Sequence, residues 1–236
     1  GETAGLPPNV RLVMIHALNC HGFAWLRRVT EENVDLNRNF VDHEKEHPKN
    51  IEYAKLHHSI LPEIWNPKTI AASTAELEAY ASKTSLYKLQ SVLTGGQYDH
   101  PDGIFYGGRE PTRAHKRFVE IVENHVLGAR NVLFLDWHTG LGPYGKGELL
   151  GMTRPGSAHG DRVNKWFEHG LETPAEGQAT SAPLTGTIGS GLRRRLQGTE
   201  TGITSLTVEF GTYPMREGLM PATRAAPAYS TSPTSL

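Results

Sequence analysis

The sequence predicts an α/β fold, an open sheet with helices packed on both faces. Three observations carry that reading. Asn131-Val132-Leu133-Phe134-Leu135-Asp136 reads as the clearest strand of the chain and Ile203-Thr204-Ser205-Leu206-Thr207-Val208-Glu209-Phe210 as a last buried strand, each with polar residues arriving at its end. Longer stretches between them carry apolar residues at helical spacing. The order strand, loop, helices, strand, loop, helix, strand is that of an open sheet with helices on both faces. With 236 residues, the chain suits one such domain or two small ones.

Taken in order, Gly1 to Pro8 reads as a loop and Val10 to His16 as a first buried strand. Asn19 to Phe23 turns the chain. Residues 41–50 are charged and end near Pro48, which predicts a surface loop. Glu52 to Leu61 places Tyr53, Leu56 and Ile60 on one side of a helix that Pro62 ends. A second helix is expected over about residues 70–92, stopped by Gly95-Gly96. Gln97 to Pro111 is a long Gly/Pro/Asp/Tyr-rich loop, a kind that is often functional. Thr112 to Leu127 is a helix with Phe118, Ile121, Val122 and Val126 inward, and it leads to the 131–136 strand. Gly140 to Gly147 is a loop, Glu148 to Met152 a short strand and Ala158 to Phe167 a helix. Residues 170–190 read as irregular, Ile188 to Leu196 as helical and 203–210 as the last strand. The domain is expected over 1–214, and the Ala/Pro/Ser/Thr composition of 215–236 predicts a disordered or aberrant tail.

Composition removes several function classes. The net charge of −1 leaves no basic field for nucleic acid or anionic lipid. Mean hydropathy is −0.44, and no apolar run approaches the roughly 20 residues of a membrane helix. The single cysteine, Cys20, allows no internal disulfide and fits a reducing, cytoplasmic compartment.

The densest chemistry lies in Asn33-Val34-Asp35-Leu36-Asn37-Arg38-Asn39-Phe40. The Arg38 fork and the Asn37 amide could together receive a carboxylate; an Asn-rich turn is the alternative. His138 follows a strand and precedes glycines, where an imidazole could ligate Zn²⁺ or simply be a hydrogen-bonded core group. Asp136, two residues earlier, would point to the same side. Glu209 ends a buried strand, so it is paired or used, either as a general base or in a salt bridge. Arg27 or Arg28 could hold an oxyanion. If the strands are parallel neighbours, the Asn19 turn, His138 and Glu209 converge at their C-terminal ends, where open sheets bind ligands. Two patterns are set aside. Gly140 to Gly145 matches G-x-G-x-x-G, but Pro143 and a following strand-like run do not suit a dinucleotide loop. The H-x-x-E spacings at His43/Glu46 and His169/Glu172 fall in solvated segments.

Asn19 to Arg28, Asp35 to Phe40, Asp136-Trp137-His138-Thr139-Gly140 and Thr207 to Pro214 resemble, in that order, motifs of the zinc carboxypeptidase superfamily. That superfamily includes carboxypeptidase A and the succinylglutamate desuccinylase/aspartoacylase group. The likeness is nearest to an uncharacterised bacterial carboxypeptidase-like branch and spans about Leu6 to Pro214. It implies a three-layer α/β/α sandwich around a mixed, twisted sheet, with His138 as the last zinc ligand and Asn37 and Arg38 gripping the substrate's terminal carboxylate. Arg28, rather than Arg27, would hold the oxyanion, and Glu209 would be the general base. Tyr144 and Tyr213 are candidates for a mobile tyrosine. The sequence departs from the pattern in having Cys20 where the family usually has proline. It also lacks the family's His-x-x-Glu zinc pair before Asn37. Two zinc ligands are therefore expected upstream of Gly1, and the sheet is expected to be incomplete at its N-terminus.

The resemblance implies a zinc-dependent hydrolase that cleaves an amide beside a free carboxylate, in a peptide or other small substrate. An N-acyl amino acid deacylase would use the same grip. A binding module that holds carboxylates without metal is the third reading.

Overall fold

The computed structural model describes residues 5–141, 143–150, 158–167 and 184–213. The elements are α1 (Cys20–Trp25), a 3₁₀ turn (Leu36–Arg38), α2 (Ile51–Ile60), α3 (Pro67–Lys83) and α4 (Leu86–Thr94). They continue with α5 (Arg113–His125), β1 (Asn131–Leu141), β2 (Gly147–Leu150), α6 (Ala158–Trp166), α7 (Ile188–Arg195) and β3 (Gly202–Tyr213). The sheet order is β1-β3-β2, with β3 parallel to β1 and antiparallel to β2. The α/β class and the mixed sheet are as expected.

Alternation along β3 covers both faces of the sheet. Ile203 packs against the cluster formed by Phe40, Phe118 and Val122 of α5, and Leu192 of α7. Gly189 of α7 sits against Ser205. Thr204 turns the other way, and its hydroxyl accepts from Arg162 of α6 at 2.9 Å. A second apolar cluster joins α2, α3 and α4 through Tyr53, Leu56, Ile60, Leu77, Leu89 and Val92, under Ile104 of the long loop.

Two expectations are corrected. Val10 to Ile15 forms no strand; the run is exposed, Met14 at 83%. A β-branched run becomes a strand only when a neighbour takes its amide groups, and none among the described residues does so. The helix expected over 70–92 is two helices. The Thr84 N–H closes α3 on Tyr80, and the Ser85 hydroxyl accepts from the Lys88 N–H to open α4. Small hydroxyl residues favour such caps, and periodicity alone does not register them. Strand residues 151–152, most of the irregular 170–190 segment and the 215–236 tail lie outside the described residues.

Candidate functional site

The parallel register of β1 and β3 sets His138 opposite Glu209. Phe134 faces the α5/α7 cluster and pairs in register with Ser205, so the even residues of β1 and the odd residues of β3 share one face. Asp136, His138 and Glu209 therefore project together at the C-terminal end of the strands. His138 Nε2 lies 2.9 Å from Asp136 Oδ2, and Nδ1 lies 3.6 Å from Glu209 Oε2. Glu209 can reach across because residue 140 is glycine; a Cβ there would collide with Glu209 Oε1.

Burial opposes charge on the imidazole. The Asp136 hydrogen bond and charge, together with the Glu209 charge, outweigh it, so His138 titrates above ordinary histidine. Burial also raises Glu209 above the usual carboxylate range, and the His138 and Arg28 charges only partly offset it. Arg28 acts on both groups. Its Nε donates to Asp35 Oδ2 at 2.7 Å, its side chain is 42% exposed, and its guanidinium rests over the Phe105 ring at 5.1 Å. Asp35 itself is buried; desolvation would raise its pKa, but Arg28, Arg38 and the Asn37 N–H together lower it.

The Asn-rich stretch is a structural hub. Arg38 is 2% exposed. Its Nε and one terminal nitrogen both donate to the Thr94 carbonyl, at 2.8 and 2.6 Å, and the other donates to the Asn37 carbonyl at 2.7 Å. Its fork is aimed at the backbone, whereas the sequence alone suggests a ligand. Asn37 Oδ1 accepts from the Ile188 N–H at 2.9 Å, which fixes the start of α7. Asn39 is wholly buried; its Nδ2 donates to the Gly107 and Glu110 carbonyls, and its Oδ1 accepts from the Thr112 N–H.

Residues 2–234 match the family DUF2817, described as a protein of unknown function. The chain belongs to that family. No curated protein and no solved structure matches it.

In this DUF2817 chain the sequence candidates are thus only partly gathered. Asp136, His138, Glu209 and Arg28 act on one another, and Asn37 and Arg38 share a short turn with Arg38 facing inward. Arg27 lines a shallow surface hollow with Asn19, Phe23 and Leu26. Tyr144 is 89% exposed, and the Tyr213 side chain lies outside the described residues. His43 binds His47 and the Asn39 carbonyl, while His169 and Glu172 are not described. Sequence reasoning missed Phe105, the ring beneath both Arg28 and Arg38. A lone Phe in a glycine-rich loop carries no signal of that role.

His138 fits the part of a single zinc ligand, because a carboxylate on its far nitrogen is the usual partner of metal-binding histidine. A catalytic zinc takes about three protein ligands. Among the described residues no second and third ligand joins His138, since Asp136 and Glu209 lie at opposite ring nitrogens. The described residues do not complete a zinc centre there. Among them, no helix is long and apolar enough to cross a membrane.

Proposed function

We propose that this chain carries the acid–base side of a carboxypeptidase-type hydrolase site, cleaving an amide beside a free carboxylate. The supporting observation is the Asp136–His138–Glu209 array at the ends of two parallel strands, within the field of a half-exposed arginine. Glu209, raised by burial, takes a proton from the attacking water and passes it to the leaving amine. Arg28, held by Asp35 and stacked on Phe105, faces charge developing on the carbonyl oxygen. Asp136 orients His138. The Asn37 amide is the remaining candidate for recognising the substrate carboxylate. Among the described residues, His138 alone would hold Zn²⁺ at this site.

The test is hydrolysis, with Zn²⁺ supplied, of a blocked dipeptide with a free C-terminus and of an N-acyl amino acid. Turnover of either is expected to fall about 10²–10⁴-fold in Glu209→Gln with the fold retained. Preference for the second substrate would mark a deacylase. Equal turnover by wild type and variant, or none on either substrate, sinks the proposal.

A further inference from the structure

A second group of ligating side chains lies away from His138, where the long loop meets α2. His57, on α2, stacks on His100 with ring centroids 4.1 Å apart and planes 23° from parallel. Asp102 Oδ2 is 3.5 Å from His57 Nε2. One ligating atom from each residue lies within 4.8 Å of the other two, and this is the single such trio of His, Cys, Asp or Glu among the described residues. The backbone holding His100 and Asp102 is fixed. Gln97 Oε1 accepts from the His100 and Asp99 N–H groups, and Gln97 Nε2 donates to the His100 carbonyl at 2.7 Å.

Two buried atoms in and beside the trio find no well-formed hydrogen bond among the described residues, His57 Nδ1 and the Tyr53 hydroxyl. Tyr53 is wholly buried and lies one turn before His57 on the same helix, with its ring 5.9 Å from both imidazoles. The Ile104 backbone approaches its hydroxyl, and the Asp102 charge acts on it. Buried polar groups of this kind normally have a partner.

We propose that His57, His100 and Asp102 bind a divalent transition-metal ion, with a water as fourth ligand hydrogen-bonded to the Tyr53 hydroxyl. Two imidazoles and one carboxylate suit Zn²⁺ better than Mg²⁺ or Ca²⁺, which favour all-oxygen sites. Imidazole lone pairs lie in the ring plane, so His100 unstacks on binding. The ligating atoms draw in by about 1 Å to reach tetrahedral zinc spacing. The Asp102 side chain, 75% exposed, is free to follow. The ion would clamp α2 to the loop whose Phe105 supports Arg28 and Arg38 and whose Pro101 and Gly103 carbonyls accept from Asn33. Its role is structural and separate from the hydrolase reading.

Calorimetric titration of Zn²⁺ into the chelator-treated chain tests this, alongside His100→Ala, Asp102→Asn and, as an exposed histidine outside the trio, His125→Ala. Wild type is expected to bind with a rise in thermal midpoint. Affinity should survive His125→Ala and weaken roughly tenfold or more in each of the other two variants. Asp102 is exposed, so its asparagine variant keeps the fold. No binding by wild type, full affinity in either loop variant, or loss in His125→Ala would overturn the assignment.

Discussion

Replacing Arg38 by methionine keeps an apolar stem and removes the guanidinium. In the folded chain that group is 2% exposed and makes three short bonds, two to the Thr94 carbonyl and one to the Asn37 carbonyl. Burial lowers its pKa to about 10, which leaves it charged at neutral pH. Arg38→Met strands both carbonyls and takes one cation from beside the buried Asp35, although Arg28 remains. Removing one member of a buried charged group costs about 3–5 kcal/mol, and bonds to charged groups contribute about 1.5–3 kcal/mol each. The expected loss is therefore about 3–5 kcal/mol, a large part of the roughly 5–15 kcal/mol that holds a typical domain. For a chain of this length each kcal/mol moves Tm by roughly 2–4 °C, so the midpoint should drop by about 6–20 °C. Urea denaturation followed by circular dichroism measures it. A loss under about 1 kcal/mol, with carboxylate binding abolished, would refute the reasoning and return Arg38 to the ligand surface.

Asn39→Ala leaves three backbone groups without their partner, two of them buried, and should cost about 3 kcal/mol, read from the urea midpoint. His115 is held down to about 4, mainly by burial. The unfolded chain gains a proton as pH falls through the ordinary histidine value while the folded chain does not, so stability drops between there and about pH 4 and then levels off. Allowing for partial exposure, the drop is about 1–2 kcal/mol, and denaturation curves of His115→Gln should show a flatter slope over that window. The acid limb of kcat/KM should lie above the usual glutamate range, because burial raises Glu209; a limb at the ordinary value would separate the rate from that carboxylate. Ser85→Ala removes the cap of α4 and should cost about 1 kcal/mol in a thermal melt.

Which parts of this molecule could be read in its sequence follows from how local the deciding interaction is. The β1 run is legible from its apolar block Val132 to Leu135 and the β3 run from its β-branched residues, and the two-residue spacing of Asp136 and His138 places them on one side of the strand. That Glu209 lies opposite His138 is a matter of register between residues far apart in the chain. Val10 to Ile15 has the composition of a strand, but composition does not supply the adjacent edge.

Arg38 shows the limit most clearly. An amide–guanidinium cluster has the same sequence whether its donors face a ligand carboxylate or a backbone carbonyl. Its partner here is Thr94, the last residue of α4, and the end of a helix leaves carbonyls that need donors. The Gly95-Gly96 pair that marks that end also makes room for the arginine: Gly96 sits at φ +98°, and a Cβ on it would lie 2.9 Å from Arg38 Cδ. The two signals belong to one arrangement, although the Thr94 carbonyl that joins them stands 56 positions from Arg38. Any reading that takes Arg38 as a substrate group must therefore also supply the Thr94 carbonyl with another donor.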